Sequence, residues 1–373
     1  MPSGTYVHEA SRQADVSKTG RTGNTYNFSE YAVTVDGFTF NHYRVDEGTG
    51  ERRVVTPEIV VNGDGSSVAR VFYNRVTDYK YYIYRYTQLL DDVTEQPSNE
   101  YRFFGGLEPL YGVYGAKVKL GQEPITGYEF HHWAPEPIAP ATDAYIEIGT
   151  KYPAYISTEP TDVTIGRIFY NLTQVQYSTM VNLETLQSAQ DRRDGKYGPE
   201  SASFVTQTPV KITAYPTQKI SVKNVIDGYK AANPGFNFYK SDPAIQAGQN
   251  DYYEQVKPDG STAISVWLLR DTNRKVTLYL HRQSLDNAKY HTDPKYPDTP
   301  DLYEEYAYES AVTGETINLG ATGPFADRYI HIVGADNVRV GFAWASANPT
   351  SIYIAATGEF TGDIYYDRTT NMS

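Results

Sequence analysis

A five-residue block, β-branched, aromatic, bulky apolar and then polar, returns four times along the chain at a nearly fixed interval. It stands as Val71-Phe72-Tyr73-Asn74-Arg75, Ile168-Phe169-Tyr170-Asn171-Leu172, Val266-Trp267-Leu268-Leu269-Arg270 and Ile364-Tyr365-Tyr366-Asp367-Arg368, with first residues 97, 98 and 98 positions apart. A period of that length is the size of a small domain, so it constrains the fold more than any local propensity does. The 373 residues therefore divide into four expected repeat domains, 1–76, 77–173, 174–272 and 273–373.

Each domain reads as mainly strand. In the first, a strand is expected from Thr5 to Ala10. Gly37-Phe38-Thr39-Phe40 follows as a strand entered through glycine, and Asn62-Gly63-Asp64-Gly65 as a hairpin turn, since Asn-Gly and Asp-Gly readily supply positive φ. The second opens on Tyr79-Lys80-Tyr81-Tyr82-Ile83-Tyr84-Arg85. A Gly- and aromatic-rich insertion at about 95–116 comes next, then Gly127-Tyr128-Glu129-Phe130-His131-His132-Trp133 as the glycine strand and a Pro-rich loop at 135–140. In the third, Val222, Val225, Ile226 and Tyr229 fall on one helical face, with Ser221 as N-cap and Asn233-Pro234-Gly235 as the stop. The turn Asp259-Gly260-Ser261-Thr262 precedes Val266 as Asp64-Gly65-Ser66-Ser67 precedes Val71. The fourth carries a Pro- and Asp-rich loop at 293–301. Its glycine strand, Gly341-Phe342-Ala343-Trp344, lies only 23 residues before Ile364, against 31 to 41 elsewhere, so it is expected to be the least regular and to differ in internal order.

Composition narrows function mainly by exclusion. The net charge of −12 disfavours nucleic acid and an anionic bilayer, both of which reward a basic face. No stretch approaches the ~20 apolar residues of a membrane span. With no Cys, thiol chemistry, disulfides and Cys-ligated zinc are out. The 35 Tyr and 14 Phe suit pleated strands. Because the chain stops shortly after the fourth block, it reads as a segment of a longer protein.

The glycine strand followed by the closing block resembles the Listeria-Bacteroides (internalin-type) repeat and the mucin-binding (MucBP) repeat of Gram-positive surface proteins. Gly127 to Trp133, with Asp162-Val163-Thr164 and Ile168-Phe169-Tyr170, carries the resemblance best; Gly37 to Phe40 and Gly235 to Phe238 match without the Trp. The resemblance implies β-grasp domains, a small mixed sheet crossed by one helix. The fold class expected is thus a β-rich α+β chain, four tandem β-grasp-like (ubiquitin-like) domains arranged end to end as an elongated rod. It also implies a non-enzymatic, monomeric segment of a bacterial cell-surface adhesin. Such a segment is extracellular, attached to the cell wall through parts outside it, and acts as a stalk, either as a spacer alone or as one that also binds host mucin glycans or an extracellular host protein. The alternative is an accessory or spacer region of a large secreted carbohydrate-active enzyme. Stalks of this kind also suggest Lys–Asn cross-links, with no particular pair indicated.

Chemistry-bearing motifs are weak. His131-His132 lacks a third ligand at suitable spacing, and strand neighbours point to opposite faces, so a structural role is expected and no metal. Asn62 to Gly65 lacks the EF-hand spacing. No nucleophile elbow, phosphate loop or dinucleotide fingerprint is present, and no cofactor or catalytic residue is expected. The candidate contacts for sugars or protein are Tyr79, Tyr81, Tyr82, Tyr84 and Tyr86, whose rings offer stacking area. Against that stands the plainer expectation that one face of this strand is core and the other exposed.

The linkers Asn74 to Asp78, Asn171 to Gln174 and Arg270 to Arg274 contain no Gly or Pro. About five residues reach at most ~17 Å, too little for a domain to fold back beside its predecessor. Small-angle scattering of the monomer should then give a radius of gyration about twice the ~21 Å of a compact globule of this length. A value near the globular figure removes the end-to-end arrangement.

Overall fold

The computed structural model describes residues 6, 16–134, 144–283, 303–333 and 338–369. The expected strand at Thr5 to Ala10 (Tyr6 apart) and the loops at 135–140 and 293–301 lie outside the described residues. The chain divides into two compact units, Met1–Thr173 and Gln174–Ser373, and each contains two copies of the repeating pattern.

A strand whose two faces are both apolar belongs where it has neighbours on both sides, and that is where the recurring block lies in the three later repeats. In the second repeat, Thr164–Leu172 runs parallel to the opening strand Tyr79–Leu90 and antiparallel to the glycine strand Tyr128–Ala134. In the third, Ala263–Arg270 lies likewise between Val175–Glu184 and Phe236–Asp242. In the fourth, Phe360–Arg368 lies between Arg274–Arg282 and Val338–Asn348. The first repeat retains the antiparallel pair Val68–Arg75 with Phe38–Asp46, extended by Arg52–Val54. Partners on the far side of the opening strand complete the sheets: Pro97–Gly105 and Leu110–Gly112, Phe204–Thr206 and Val210–Ala214, and Tyr303–Ala311. The insertion expected at about 95–116 is therefore largely strand.

The register repeats residue for residue. Phe38 faces Arg75, Tyr128 faces Leu172, Phe236 faces Arg270 and Phe342 faces Arg368. Every glycine strand then carries a bulge two residues on, between Phe40 and His42, Phe130 and His132, Phe238 and Lys240, and Trp344 and Ser346. The fourth repeat keeps this pairing and, as expected, differs in its elements: Ile330–Val333 pairs antiparallel with the glycine strand on the side away from the block, where the second and third repeats have no strand among the described residues. Its shorter spacing comes from the connection between glycine strand and block, while the pairing of the two strands is unchanged.

A second, two-stranded ladder recurs as well: Thr25–Asn27 with Glu58–Val60, Lys117–Leu120 with Ala144–Glu147, Lys219–Ser221 with Tyr253–Gln255, and Thr316–Asn318 with Ser351–Tyr353. It supplies the apolar cover of the sheet. Leu120 and Ile146 pack on Ile168 and Tyr170 in the second repeat, and Ile317 and Ile352 on Leu278 and Ile364 in the fourth. The third adds the expected helix, Val222–Ala232, with the Ser221 side chain accepting from the Asn224 N–H. Its Val222 and Ile226 are buried against Val266 and Leu268. A helix crossing every repeat is not found: among the described residues the other three carry no α-helix. A further helix, Leu186–Arg193, was invisible to periodicity because it has no apolar stripe. Arg192 and the fully buried Glu184 hold it through a 2.9 Å ion pair.

The repeated hairpin turns are built alike. Asp64 Oδ1 accepts from the Ser66 N–H at 3.0 Å and Asp259 Oδ1 from the Ser261 N–H at 2.9 Å, side chain substituting for a backbone turn bond. All described lysines are exposed. A Lys–Asn cross-link needs an amine kept neutral by apolar surroundings, so no described lysine is placed for one.

Candidate functional site: a tyrosine strand and two arginine joints

Alternation along Tyr79–Leu90 sends its aromatic rings to both sides of the sheet. Tyr81 packs with Ile83 over the Leu120 and Ile146 side, whereas Tyr82, Tyr84 and Tyr86 face Tyr101, Phe103 and Phe169. Tyr84 is 5 % exposed and Tyr86 is 0 % exposed. The five tyrosines thus form no common outer face, and Tyr84 and Tyr86 are core. The Tyr86 ring stacks on Phe169 at 5.1 Å, and its hydroxyl donates to Glu159. Glu159 and Arg167 are themselves buried and pair at 2.6 Å, with the Tyr155 N–H donating to the same carboxylate at 2.7 Å. Burial alone would raise the Glu159 pKa; hydrogen bonds from Arg167, Tyr86 and Tyr155 outweigh it and hold it below the ordinary range.

The bulge changes what His131-His132 do. Instead of pointing to opposite faces, the two Nδ1 atoms meet at 2.7 Å. Tyr101 gives its proton to Asn171 Oδ1 at 2.6 Å, so its oxygen accepts from His131 Nδ1, which lies at 3.2 Å. His131 is then the donor and His132 the acceptor of the pair. The His132 ring stacks on Phe169 at 4.4 Å, as His42 stacks on Phe72 at 4.7 Å. Burial lowers both pKa values, aided at His132 by His131 and at His42 by Arg53 and Arg44. The described residues hold no cluster of three or more His, Asp or Glu suited to a metal.

What the second repeat does expose is apolar surface from the strands of its insertion: Phe104, Leu107, Leu110 and Tyr111 are all exposed, Leu107 at 68 %.

The other constellation joins repeats, and the sequence reading missed it. The Gly37 carbonyl accepts from the Val76 N–H at 2.9 Å, and the Val76 carbonyl accepts from the Tyr114 N–H at 2.9 Å. Arg75 lies over the Phe38 ring at 5.2 Å and donates from Nη1 to the Tyr114 carbonyl at 3.0 Å. The second unit has the same arrangement. The Asp271 N–H donates to Gly235 O at 2.9 Å and the Thr313 N–H to Asp271 O at 3.0 Å. Arg270 lies over Phe236 at 4.8 Å and donates to Thr313 O at 3.0 Å. Burial lowers the Arg270 pKa, opposed by Glu184, yet a guanidinium stays charged at any ordinary pH. Glycine is required at the contact. Gly37 and Gly235 have φ of 77° and 79°, and a Cβ would lie 2.0 Å from Tyr114 and 2.6 Å from Thr313. In the second unit Glu315 adds a two-oxygen pair with Arg193, 2.9 Å to each. The signal available beforehand was the arginine closing three of the four blocks.

No family model and no curated protein matches the sequence. The resemblance to mucin-binding repeats therefore rests on the residues of the glycine strand and block alone. Among solved structures the chain is similar to the Bacillus anthracis TIE protein, at 8 % identity over 89 % of this chain and 68 % of that one, with a TM-score of 0.25. It is also similar to the pilus adhesin SpaC of Lactobacillus rhamnosus GG, at 8 % identity over 84 % of this chain and 47 % of that one, with a TM-score of 0.21.

The joint leads to a measurable stability. Arg270→Ala removes charge-assisted hydrogen bonds to the Thr313 and Glu184 carbonyls and a ring contact, and should lower the urea-unfolding free energy of the second unit by roughly 2 kcal/mol. Arg102→Ala, at an exposed strand position, is the control. Equal curves for the two variants would show that the joint carries no stability.

Proposed function

We propose that this chain is a load-bearing, non-enzymatic segment of an extracellular bacterial surface adhesin, with the repeats acting as stalk domains of β-grasp type in tandem. The observation that carries the reading is the parallel pairing of the opening and closing strands of a repeat, from Tyr81 with Thr164 to Thr87 with Tyr170 in the second. Ser178 to Leu183 pair with Ala263 to Leu268 in the third, and Val276 to Arg282 with Phe360 to Tyr366 in the fourth. In parallel neighbours, the start of the opening strand and the end of the closing strand lie at opposite ends of the ladder. Tension along the chain then shears all its hydrogen bonds together instead of opening them one by one. The arginine joints continue that load path from one repeat to the next within each unit.

Pulling single molecules from end to end should give separate high-force ruptures, each releasing roughly 300 Å, the length of one repeat at ~3.3–3.6 Å per residue. Gradual extension at low force would refute the stalk.

A binding role is favoured by one observation, that Phe104, Leu107, Leu110 and Tyr111 in the insertion of the second repeat are all exposed. Exposed large apolar side chains are a mark of an interaction site where they gather, and we assign host mucin glycans or an extracellular host protein to this insertion. Mucin capture by the intact chain should fall at least tenfold in Tyr111→Ser together with Leu107→Ser. A blank glycan array and a blank mucin pull-down for the unmodified chain would leave the stalk alone.

A further inference from the structure

The joint has two halves, and each recurs outside the joints already described. One half is a turn with a positive-φ residue third, preceding the small ladder. In the occupied joints it is Val113-Tyr114-Gly115-Ala116 and Val312-Thr313-Gly314-Glu315, where Gly115 and Gly314 lie so close to Arg75 and Arg270 that a Cβ would come within 2.4 and 2.7 Å of Nη1. The first repeat has the same turn as Arg21-Thr22-Gly23-Asn24. Asn24 N–H donates to Arg21 O, Gly23 N–H donates to Val61 O, and Gly23 has φ of 82°. Among the described residues nothing stands within 4 Å of where its Cβ would be. Thr22-Gly23-x-Thr25 is also the sequence of Thr313-Gly314-x-Thr316.

The other half closes the fourth repeat. Arg368 lies over Phe342 at 5.0 Å, and the Thr369 N–H donates to Gly341 O at 3.1 Å. Arg368 Nε donates to Gln283 O at 3.1 Å, as Arg270 Nε donates to Glu184 O at 2.9 Å. Arg368-Thr369-Thr370-Asn371 matches Arg270-Asp271-Thr272-Asn273 at three of four positions, Thr369 standing where Asp271 does.

The halves also vary together. Where a block ends in Leu172 in place of arginine, the next repeat's turn is Tyr215-Pro216-Thr217-Gln218. Pro216 has no N–H to give, and Thr217 takes the positive φ of 70° without glycine. An arginine thus goes with a turn of Thr or Tyr followed by Gly, and Arg368 is the partner type for Thr22-Gly23.

We propose that the Gly341, Phe342, Arg368 and Thr369 surface docks the Thr22-Gly23 turn of a second copy of this chain, head to tail. The Thr22 N–H donates to Thr369 O, and Arg368 donates to Thr22 O. The contact is heterologous, so each copy keeps one unused half and further copies add in series rather than stopping at a dimer. It is small and lacks the Arg193–Glu315 support, because Asn24 stands in the place of Glu315. It belongs at the weak end of protein contacts and assembles at roughly millimolar protein.

Sedimentation equilibrium of the whole chain up to that concentration tests the proposal. The average mass is expected to climb past the dimer without a plateau. Arg368→Ala should abolish the rise from one end and Thr22→Pro from the other; proline suits the second position of this turn and removes the N–H together with the Thr22 hydroxyl and methyl beside Gly63. Circular dichroism confirms that both variants fold. Mixed in equal amounts, the two variants should regain association but stop at the dimer, since each retains one working half. A monomer mass at every concentration, a rise surviving either substitution, or a mixture that stays monomeric would overturn the proposal.

Discussion

The parallel ladder between a repeat's opening and closing strands is the constraint on which the later repeats depend. Its partners stand far apart in sequence, as Tyr81 and Thr164 do, so the whole intervening chain must be laid out before the ladder can close. The entropy of closing so long a loop grows only logarithmically with length, which lets the segment between vary: two helices in the third repeat, none among the described residues of the second. The closing strand itself does not vary in character. With a neighbour on each side and apolar layers above and below, Ile168, Phe169 and Tyr170 are each no more than 2 % exposed. That double burial is why the β-branched and aromatic block recurs.

The second invariant is an irregularity. A bulge stands at one place in all four glycine strands, and in three it shifts the following residue onto the ring of the block's aromatic position: His42 on Phe72, His132 on Phe169, and Lys240 over Trp267 at 5.0 Å; in the fourth that residue is Ser346, and His281 of the opening strand stacks on Tyr365 at 4.8 Å instead. Bulges re-aim side chains at the expense of one ladder position. Here the gain is a flat or cationic cover for an aromatic ring that would otherwise meet water. Chemical identity matters less than planarity or charge, so histidine and lysine substitute for one another without disturbing the register.

The parts legible in the sequence were those with a period or a cap. The block and glycine strands were found from spacing, and helix Val222–Ala232 from its apolar stripe with Ser221 ahead of it. The missed parts have physical reasons. Pro97–Gly105 alternates poorly because two register shifts interrupt its pairing with the opening strand, so it read as insertion. The bulge breaks the two-residue alternation that had placed His131 and His132 on opposite faces. Glu159 and Arg167 carry charges that are usually solvated, and only the fold buries them together. Alternation allowed one core face for the tyrosine strand but did not say which, and it is Tyr101, Phe103 and Phe169 that bury Tyr84 and Tyr86.

The joints show how little bonding suffices between tethered domains. Each core of a joint is two backbone hydrogen bonds and one arginine, individually on the order of 1 kcal/mol net for the neutral bonds and somewhat more for the charged one. Between free molecules that is a weak contact. Within a chain, a short linker gives an effective concentration in the millimolar range, and the same bonds can then fix an orientation. Because the turn offers only backbone atoms to the arginine and the linker, its side chain is free to differ: Tyr114 in one joint, Thr313 in the other, with Val76 and Asp271 between. What cannot change is the glycine opposite, where a Cβ would collide, and the N–H of the turn. A joint specified by backbone geometry and one cation keeps its form while the surfaces around it drift. Two joints with different side chains therefore superpose in their hydrogen bonds.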